Sequence, residues 1–541
     1  MGSIKPTAIP VEKGSQTEQG ASLRDAKARI PKNVLWNSGS LALGLAINFL
    51  ITPLLVHRLG SVQYGIWALI GELLGYSFLL DFGIRIAVTR YVARHIALNE
   101  GKEVNEVVTT GLAFTLGSAA TILAIGVIVA FFFPTLFQIP HALAKEAGLA
   151  AFIVAAGMAV GFPGSLFNGC VAAVSRYDLL SLRNVAAGVL RALLLWFFLS
   201  RGYALLAVAL ITCGVFYFAA CLDFILAFRQ IPALQIRRTY LQSSTMKTLA
   251  HFSFYAFILS IAWRLLFLTD NLVVGFVLGP AAVTFYSVGM QLASVLRDSL
   301  GTITTLFAPL ASQMDALNER ESLRALFVGG SRIGVVYGLA GIVGLTILGP
   351  RFLGLWMGES FVTRSGPILI LLSIETGFYV LAFTCGQVLY GVGRHKVNAW
   401  LSLTNATANF ALSATLVRWW GPVGVAWGTV IPAFAFEAII LPVFTARLLG
   451  VSLRQFYWSA VVKPVAAALP YAGWLWAWRE HGWGSSYTSL VLVVGSGLLI
   501  YGPMAWVVAL DARDKNLIRR WLGKFGPWIA ALQSVRSAIL G

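Results

Sequence analysis

Three arginines stand inside long apolar stretches. Arg264 lies in ILSIAWRLLFLTDNLVVGFVLG, Arg297 in QLASVLRDSLGTI and Arg85 in LLDFGIRIAVTR. An arginine at the middle of a membrane helix costs about 2.5–3.5 kcal/mol on insertion scales, so it is retained where it faces a hydrated cavity or a charged partner. Its planar guanidinium binds carboxylate or phosphate oxygens through paired hydrogen bonds. These arginines therefore predict an anion-binding cavity or ion pairs between helices.

The sequence spacing decides which charges can pair within one helix. Asp81 precedes Arg85 by four residues, which places both on one helix face, so pairing and cavity contact both remain open for Arg85. Asp270 follows Arg264 by six residues and points in another direction, and Asp298 directly follows Arg297. For Arg264 and Arg297, contact with a cavity is therefore favoured over local pairing.

Carboxylates in apolar stretches are candidates for carrying a coupling ion, or for pairing and hydrogen bonding within the helix bundle. The candidates are Glu72, Asp81, Asp270, Asp298 and Glu375. Arg191 is expected to pair with Asp223. Arg332 and Lys463 lie near predicted helix ends, where long side chains can extend to the interface, and Asn405 is expected to hydrogen-bond between helices.

The elements that hold these residues are membrane helices. Hydrophobic residues make up 58% of the 541 residues and charged residues 11%, against about 45–50% and about 25% in ordinary soluble domains. The mean hydropathy is +0.78. The chain divides at Gly, Pro and charged clusters into fourteen runs long enough to span a bilayer, with twelve or thirteen as alternatives. We therefore expect an all-α polytopic membrane protein with about 14 transmembrane helices.

The basic residues set the orientation. With both termini in the cytoplasm, 27 Lys and Arg fall on the cytoplasmic side and seven on the other, as the positive-inside rule requires. The net charge of +18 therefore reflects topology and contact with anionic membrane lipids, and no nucleic-acid partner is expected.

An internal repeat divides the chain in two. A shift of 219 residues aligns LGSVQYGIWALIGEL at Leu59 with LGPAAVTFYSVGMQL at Leu278, and ALNE at Ala97 with ALNE at Ala316. Because both copies enter from the same side, the repeat is parallel, which predicts two six-helix lobes around a central cavity. The predicted segments are a disordered cytoplasmic tail (1–32), an N-lobe of helices 1–6 (33–230), a C-lobe of helices 7–12 (231–450), helices 13–14 (451–510) and a cytoplasmic interfacial tail (511–541).

The stretches IPKNVLWNSGS, HRLGSVQYGIWAL, LLDFGIRIAVTRYVARH and FYAFILSIAWRLLFLTDNLVVGFVLGPAAVTFYSVG resemble the polysaccharide-type flippases of the multidrug/oligosaccharidyl-lipid/polysaccharide exporter superfamily. The similarity covers about residues 30–450, and the Wzx-type O-antigen flippases are the nearest group. The resemblance implies a bacterial inner-membrane protein that moves a polyprenyl-diphosphate-linked sugar or oligosaccharide to the outer leaflet by alternating access, for lipopolysaccharide or another surface polysaccharide. Arg264, Arg297 and Arg85 would then contact the diphosphate and sugar, and glycosyltransferases and a polymerase would be partners.

Three other functions remain open. A cation-coupled multidrug exporter of the same superfamily predicts carboxylates at the cavity centre, and Arg264 and Arg297 count against it. A membrane oligosaccharide ligase or polymerase is disfavoured by the short outer loops. Export of lipid II is an alternative within the flippase class. The sequence contains no Gly-rich phosphate loop, no paired-cysteine metal pattern and no HExxH, so we predict no enzyme, no cofactor and no metal site.

Overall fold

A computed structural model describes residues 13–246, 264, 268–304, 307–481, 486–516 and 518–519, and within these residues the regular structure is helical. It divides into an N-terminal unit, Met1–Ile261, and a C-terminal unit, Ala262–Gly541. Nine helices in the described part are long and apolar enough to cross a membrane, and two of these, Gly39–Asp81 and Lys396–Leu449, each cover two predicted runs. The protein is an all-α, multi-pass membrane protein. The count of fourteen stays a prediction, since the predicted seventh span lies largely outside the described residues.

The N-terminal unit is built from long helices around a small apolar core. Its helices are α1 (Lys13–Gly75), a 3₁₀ segment (Tyr76–Asp81), α2 (Ile84–Ala97), α3 (Gly101–Leu136), α4 (His141–Ala173), α5 (Tyr177–Ser200) and α6 (Leu205–Gln230). Ile84, Val88, Val108, Leu166 and Cys170 are fully buried where α2, α3 and α4 meet. This packing holds α2 against α3 and α4.

The structure describes a helix within part of the segment predicted to be a disordered tail (1–32), and the assignment of the tail stays a prediction. Residues 1–12 lie outside the described range, but α1 begins at Lys13 and runs without interruption toward the first membrane span. The segment ASLRDAKAR consists largely of residues with high helix propensity, such as Ala, Leu, Arg and Lys. A helix can therefore extend from the membrane into this polar segment.

The break before α2 removes the basis of the predicted Asp81–Arg85 pair. The 3₁₀ segment ends at Asp81, and Phe82 and Gly83 both have left-handed backbone angles, with φ of 46° and 76°. The helix restarts at Ile84. Asp81 and Arg85 therefore do not share a continuous helix face, and the four-residue spacing carries no pairing information here.

The C-terminal unit has more and shorter segments. Its helices are α7 (Asp270–Leu278), α8 (Pro280–Thr304), α9 (Phe307–Ala316), α10 (Arg320–Met357), α11 (Glu359–Arg364), α12 (Gly366–Gly391), α13 (His395–Ala433), α14 (Leu441–Leu449), α15 (Leu453–Tyr457), α16 (Lys463–Glu480) and α17 (Tyr487–Met504). π-Helical segments occupy Phe434–Ile440, Trp458–Val462 and Ala505–Ala509. Phe327 and Phe456 stack with ring centroids 4.6 Å apart in its core. Helix α13 folds back at Gly421, since Ser413 Oγ donates to the Val425 carbonyl at 3.2 Å.

Backbone turns recur at the spacing of the sequence repeat. Positive φ angles occur at three pairs of positions that lie 219 residues apart: Gly60 and Gly279 (73° and 79°), Asn99 and Asn318 (57° and 55°), and Gly202 and Gly421 (87° and 60°). Gly and Asn are the residues that adopt this conformation most easily. The two units therefore share their turn chemistry at equivalent places, which supports the parallel repeat.

The predicted extension of Arg332 toward the interface is wrong. Its side chain is buried, and it donates from Nε to Asp514 Oδ2 at 2.7 Å and from Nη1 to Ser459 Oγ at 2.5 Å, with a further ion pair to Asp511. Lys463 Nζ lies 3.4 Å from Asp511 Oδ1. These contacts fasten the segment after the last span to α10 and to the π-helix Trp458–Val462. The beginning of the predicted interfacial tail is therefore attached to the C-terminal unit through the buried side chain of Asp514.

Removing either partner of the buried Arg332–Asp514 pair should destabilise the protein, because the remaining buried charge loses its most buried partner. We expect Arg332→Ala and Asp514→Ala each to cost about 3–5 kcal/mol. The measurement is the temperature at which half of the detergent-solubilised protein stays monodisperse. Asp511→Ala is the matched control, because the Asp511 side chain is 48% exposed against 6% for Asp514. If this temperature were the same for the wild type and for all three variants, the result would contradict this account.

Candidate functional site

Three buried carboxylates and one arginine meet inside the C-terminal unit. Asp270, Glu375 and Glu437 are 5%, 3% and 8% exposed, and the Arg297 side chain is 16% exposed. They come from four elements: Asp270 begins α7, Arg297 is on α8, Glu375 is on α12 and Glu437 is on the π-helix after α13. Burial of four ionisable groups is costly unless they compensate one another. We call this group the carboxylate cluster.

Asp270 is held by two hydroxyl groups. Its Oδ2 accepts hydrogen bonds from the Tyr286 hydroxyl at 2.6 Å and from Thr429 Oγ1 at 2.9 Å. Its Oδ1 is buried and has no hydrogen-bond partner among the described residues. Tyr286 lies on α8 and Thr429 on the second arm of α13, so this one carboxylate joins three helices and retains one free oxygen.

Arg297 and Glu375 form a long ion pair. Arg297 Nη1 lies 3.9 Å from Glu375 Oε2, which is within ion-pair range but beyond a hydrogen bond. Glu375 Oε2 is buried without a hydrogen-bond partner in the described part of the chain. The pair therefore has charge attraction without a direct hydrogen bond between these two atoms.

Glu437 completes the cluster from the π-helix. Asn405 Nδ2, on the first arm of α13, donates to Glu437 Oε1 at 2.9 Å, which confirms the predicted interhelical role of Asn405. Glu437 lies close enough to Glu375 and Arg297 for electrostatic interaction with both. A π-helix contains one extra residue per turn, and such segments occur frequently at functional sites. Here the π-helix places Glu437 on the inner face of the unit.

The charges of the cluster do not balance. Three carboxylates against one guanidinium would leave two uncompensated negative charges in a buried site, which is energetically prohibitive. A cavity of about 10 Å³ lies between Asp270, Arg297, Ser294 and Thr429, at the lower limit for one water molecule. Protonation of the carboxylates would offset this excess negative charge.

The structure brings together three of the eight sequence-predicted residues: Arg297, Asp270 and Glu375. Asp298 is exposed on α8 instead, because consecutive helix residues point about 100° apart. Arg264 is half-buried, and most of its chain neighbours lie outside the described residues. Glu72, Asp81 and Arg85 belong to the N-terminal unit.

Sequence reasoning recognised Glu437 as an acidic residue within a predicted span but did not select it as a site residue, and it missed Tyr286 and Thr429. The available signal for Glu437 was an acidic residue in the apolar run FAFEAII. Tyr286 and Thr429 carry no comparable signal, since hydroxyl groups are common in membrane helices. Only the folded chain shows that both hydroxyls converge on Asp270.

The cluster has no counterpart in the first half of the chain. The positions 219 residues earlier are all apolar: Ile51 for Asp270, Phe78 for Arg297, Ala156 for Glu375 and Phe218 for Glu437. The shared turns position both halves alike, but the ionisable residues differ. The carboxylate cluster is therefore a feature of the C-terminal unit that the repeat does not duplicate.

The N-terminal unit has its own buried ion pair, and it differs from the predicted one. Asp223 is fully buried on α6, and Arg183 rather than Arg191 binds it, with Nη2 to Oδ2 at 2.6 Å. Asn168 Nδ2 donates to Asp223 Oδ1 at 3.2 Å. Arg191 instead lies near Tyr64 of α1. The prediction failed because two arginines two turns apart on α5 face similar directions, and only packing selects between them.

The sequence model of one protein family matches more than half of this chain. The family is described as polysaccharide biosynthesis protein, and the match covers residues 30–315. The uncharacterized membrane protein EpsK of Bacillus subtilis (strain 168) is 23% identical over 447 residues, which cover 80% of this chain and 86% of EpsK.

Solved structures with the same fold are transporters. The lipid II flippase MurJ in an inward closed conformation aligns with a TM-score of 0.68 at 13% identity, covering 87% of this chain and 97% of that one. An inward-facing multidrug resistance MATE family transporter of the MOP superfamily aligns with a TM-score of 0.67 at 14% identity, covering 76% and 97%. The chain thus has the fold of these transporters, and it belongs to the polysaccharide biosynthesis protein family.

Proposed function

We propose that this protein is a flippase that moves a polyprenyl-diphosphate-linked sugar or oligosaccharide from the inner to the outer leaflet for biosynthesis of a surface polysaccharide. Family membership supports a role in polysaccharide biosynthesis, and the fold it shares with a lipid II flippase supports lipid-linked cargo. Both termini would lie in the cytoplasm, and glycosyltransferases and a polymerase would supply and consume the cargo. The O-antigen of lipopolysaccharide is one such product.

The observation that carries the proposal is the long Arg297–Glu375 ion pair inside the carboxylate cluster. A diphosphate offers several charged oxygens to the fork of an arginine, which makes it a stronger partner than one carboxylate at 3.9 Å. When Glu375 and its neighbours take up protons or a cation, they release Arg297 to the cargo. Cargo binding and ion binding would then be linked through one guanidinium. Arg264 and Arg85 remain predicted contacts of the same cargo.

The carboxylates also favour a second candidate function, a cation-coupled multidrug exporter. Such a protein needs carboxylates that bind ions and cationic drugs, and Asp270, Glu375 and Glu437 provide three. In that case Arg297 would serve only to offset part of their negative charge. The two candidate functions therefore assign opposite roles to Arg297, which makes it the residue to test. A ligase or polymerase is disfavoured, because the structures with this fold are transporters and a flippase.

Substitutions at Arg297 should separate cargo binding from charge compensation. We expect Arg297→Ala to lower polysaccharide export at least tenfold, because one charge-assisted contact is worth about 1.5–3 kcal/mol. Arg297→Lys should restore export in part, since lysine keeps the charge without the fork. The measurement is surface polysaccharide in a strain lacking its own gene, at matched membrane levels of each variant.

The double variant Arg297→Ala with Glu375→Gln decides between the roles. If Arg297 binds cargo, the double variant stays defective although the net charge of its cluster equals that of the wild type. Recovered export would show that Arg297 only compensates Glu375, and would overturn its role in cargo binding. Asp298→Asn is the matched control, because Asp298 is adjacent on the same helix but exposed.

Ion coupling should depend on Asp270 and Glu437. We expect Asp270→Asn and Glu437→Gln to abolish most of the acceleration that an imposed proton or sodium gradient gives to flipping in proteoliposomes, while flipping without a gradient continues. Both amides preserve shape and keep an acceptor oxygen for the Tyr286 or Asn405 donor. Unchanged gradient dependence in both variants would exclude the cluster as the coupling site, and the effective gradient identifies the ion.

A further inference from the structure

A polar cleft opens in the N-terminal unit. It lies between α2, α4 and the beginning of α5 and has a volume of about 430 Å³. Its polar lining consists of Arg85, Thr89, Arg90, Asn168, Ser181 and Asn184. Arg85, Arg90 and Tyr177, which also lines the cleft, are exposed. The cleft is therefore accessible from outside the unit.

The cleft is positively charged. Arg85 and Arg90 lie on its wall, and no carboxylate stands among the described residues that line it. The nearest buried carboxylate, Asp223, has both oxygens engaged by Arg183 and Asn168. The ion pair between Arg183 and Asp223 offsets the negative charge behind the cleft. The hydrogen bond to Asp223 also fixes the position of Asn168, whose side chain lines the cleft.

The cationic wall is rigid because α2 packs closely on α4. Thr89 Oγ1 lies within hydrogen-bond distance of the Gly169 carbonyl (3.1 Å) and of the Arg85 carbonyl (2.9 Å). A β-carbon at Gly169 would lie only 3.1 Å from the Arg85 carbonyl oxygen, so glycine permits this approach. The backbone beneath Arg85 is therefore held in place, which lowers the entropy lost when its side chain binds a ligand.

The cleft lies at the end of the unit where α5 begins. Tyr177 is the first residue of α5, and Arg90 is in the second half of α2. The distribution of basic residues assigns this end to the cytoplasmic side. Lipid headgroups of the inner leaflet lie at that depth, and anionic headgroups are attracted to clustered arginines there.

We propose that this cleft binds the phosphate groups of an anionic lipid headgroup, with Arg85 and Arg90 contacting the phosphate oxygens and Asn184 and Ser181 contacting adjacent polar groups. Two arginines and several neutral donors match a phosphate or diphosphate, whose oxygens accept many hydrogen bonds. The headgroup comes either from the diphosphate-linked cargo or from a bulk phospholipid. The first source rests on the proposed function, and the second does not.

Lipid binding to the detergent-solubilised full chain tests this site. Native mass spectrometry would follow adducts of polyprenyl diphosphate, of phosphatidylglycerol and of neutral diacylglycerol, with inorganic diphosphate as a soluble competitor. The wild type should retain at least one anionic lipid, lose it to inorganic diphosphate, and retain no diacylglycerol. Preference for polyprenyl diphosphate identifies the cargo headgroup, and equal retention of phosphatidylglycerol identifies a bulk-lipid site.

Substitutions of cleft residues test whether the anionic lipid binds in the cleft. Arg85→Gln and Arg90→Gln should each weaken the anionic adducts about tenfold or more, and Asn184→Ala should weaken them less. Arg94→Gln is the matched control, because Arg94 lies one turn further along α2, is exposed and does not line the cleft. Monodispersity of each variant confirms folding. Wild-type adducts in the double variant Arg85→Gln with Arg90→Gln would overturn the proposal.

This result is independent of the export test. The readout is binding and not transport, so phosphatidylglycerol binding that is lost in the double variant supports the cleft even if Arg297 proves to have no role in cargo binding. Conversely, wild-type adducts in the double variant overturn the cleft site and leave the proposed role of the carboxylate cluster intact.

Discussion

The structure depends on the high cost of burying a charge away from water. In a membrane protein this cost retains an ionisable side chain only where a partner, a cavity or a ligand compensates it. The N-terminal unit meets the constraint completely at Asp223, whose two oxygens bind Arg183 and Asn168. The carboxylate cluster meets it incompletely, with three carboxylates around Arg297. That imbalance supports the proposal that an ion and an anionic cargo interact with the cluster.

The two halves of the chain share a framework and differ in chemistry. Turns at Gly60 and Gly279 have nearly the same backbone angles, so the helices are interrupted at equivalent places. The ionisable residues do not follow the repeat, since the residues equivalent to the cluster are apolar. Repeated turns specify where helices begin and end, whereas single side chains specify what each unit binds. Different binding roles can therefore evolve on one repeated scaffold.

Local departures from α-helix place several of the polar groups. The π-helix Phe434–Ile440 carries Glu437, and the Tyr457 hydroxyl donates to the Ala438 carbonyl at 2.6 Å, within the same segment. The left-handed residues Phe82 and Gly83 restart the helix that carries Arg85. Irregular backbone in a membrane is tolerated where it is buried in protein or lines a hydrated cavity. Both irregular segments adjoin the sites to which we assign binding.

The sequence by itself determined the all-α membrane class, the repeat spacing and the set of charges that need compensation, because hydropathy and turn residues act locally along the chain. It did not determine which charges meet. Arg183 and not Arg191 binds Asp223, Asp298 faces away from the cluster, and Tyr286 and Thr429 converge on Asp270. These outcomes depend on helix rotation and on contacts between residues more than a hundred positions apart, such as Asp270 and Thr429. Only the packed tertiary structure sets those quantities.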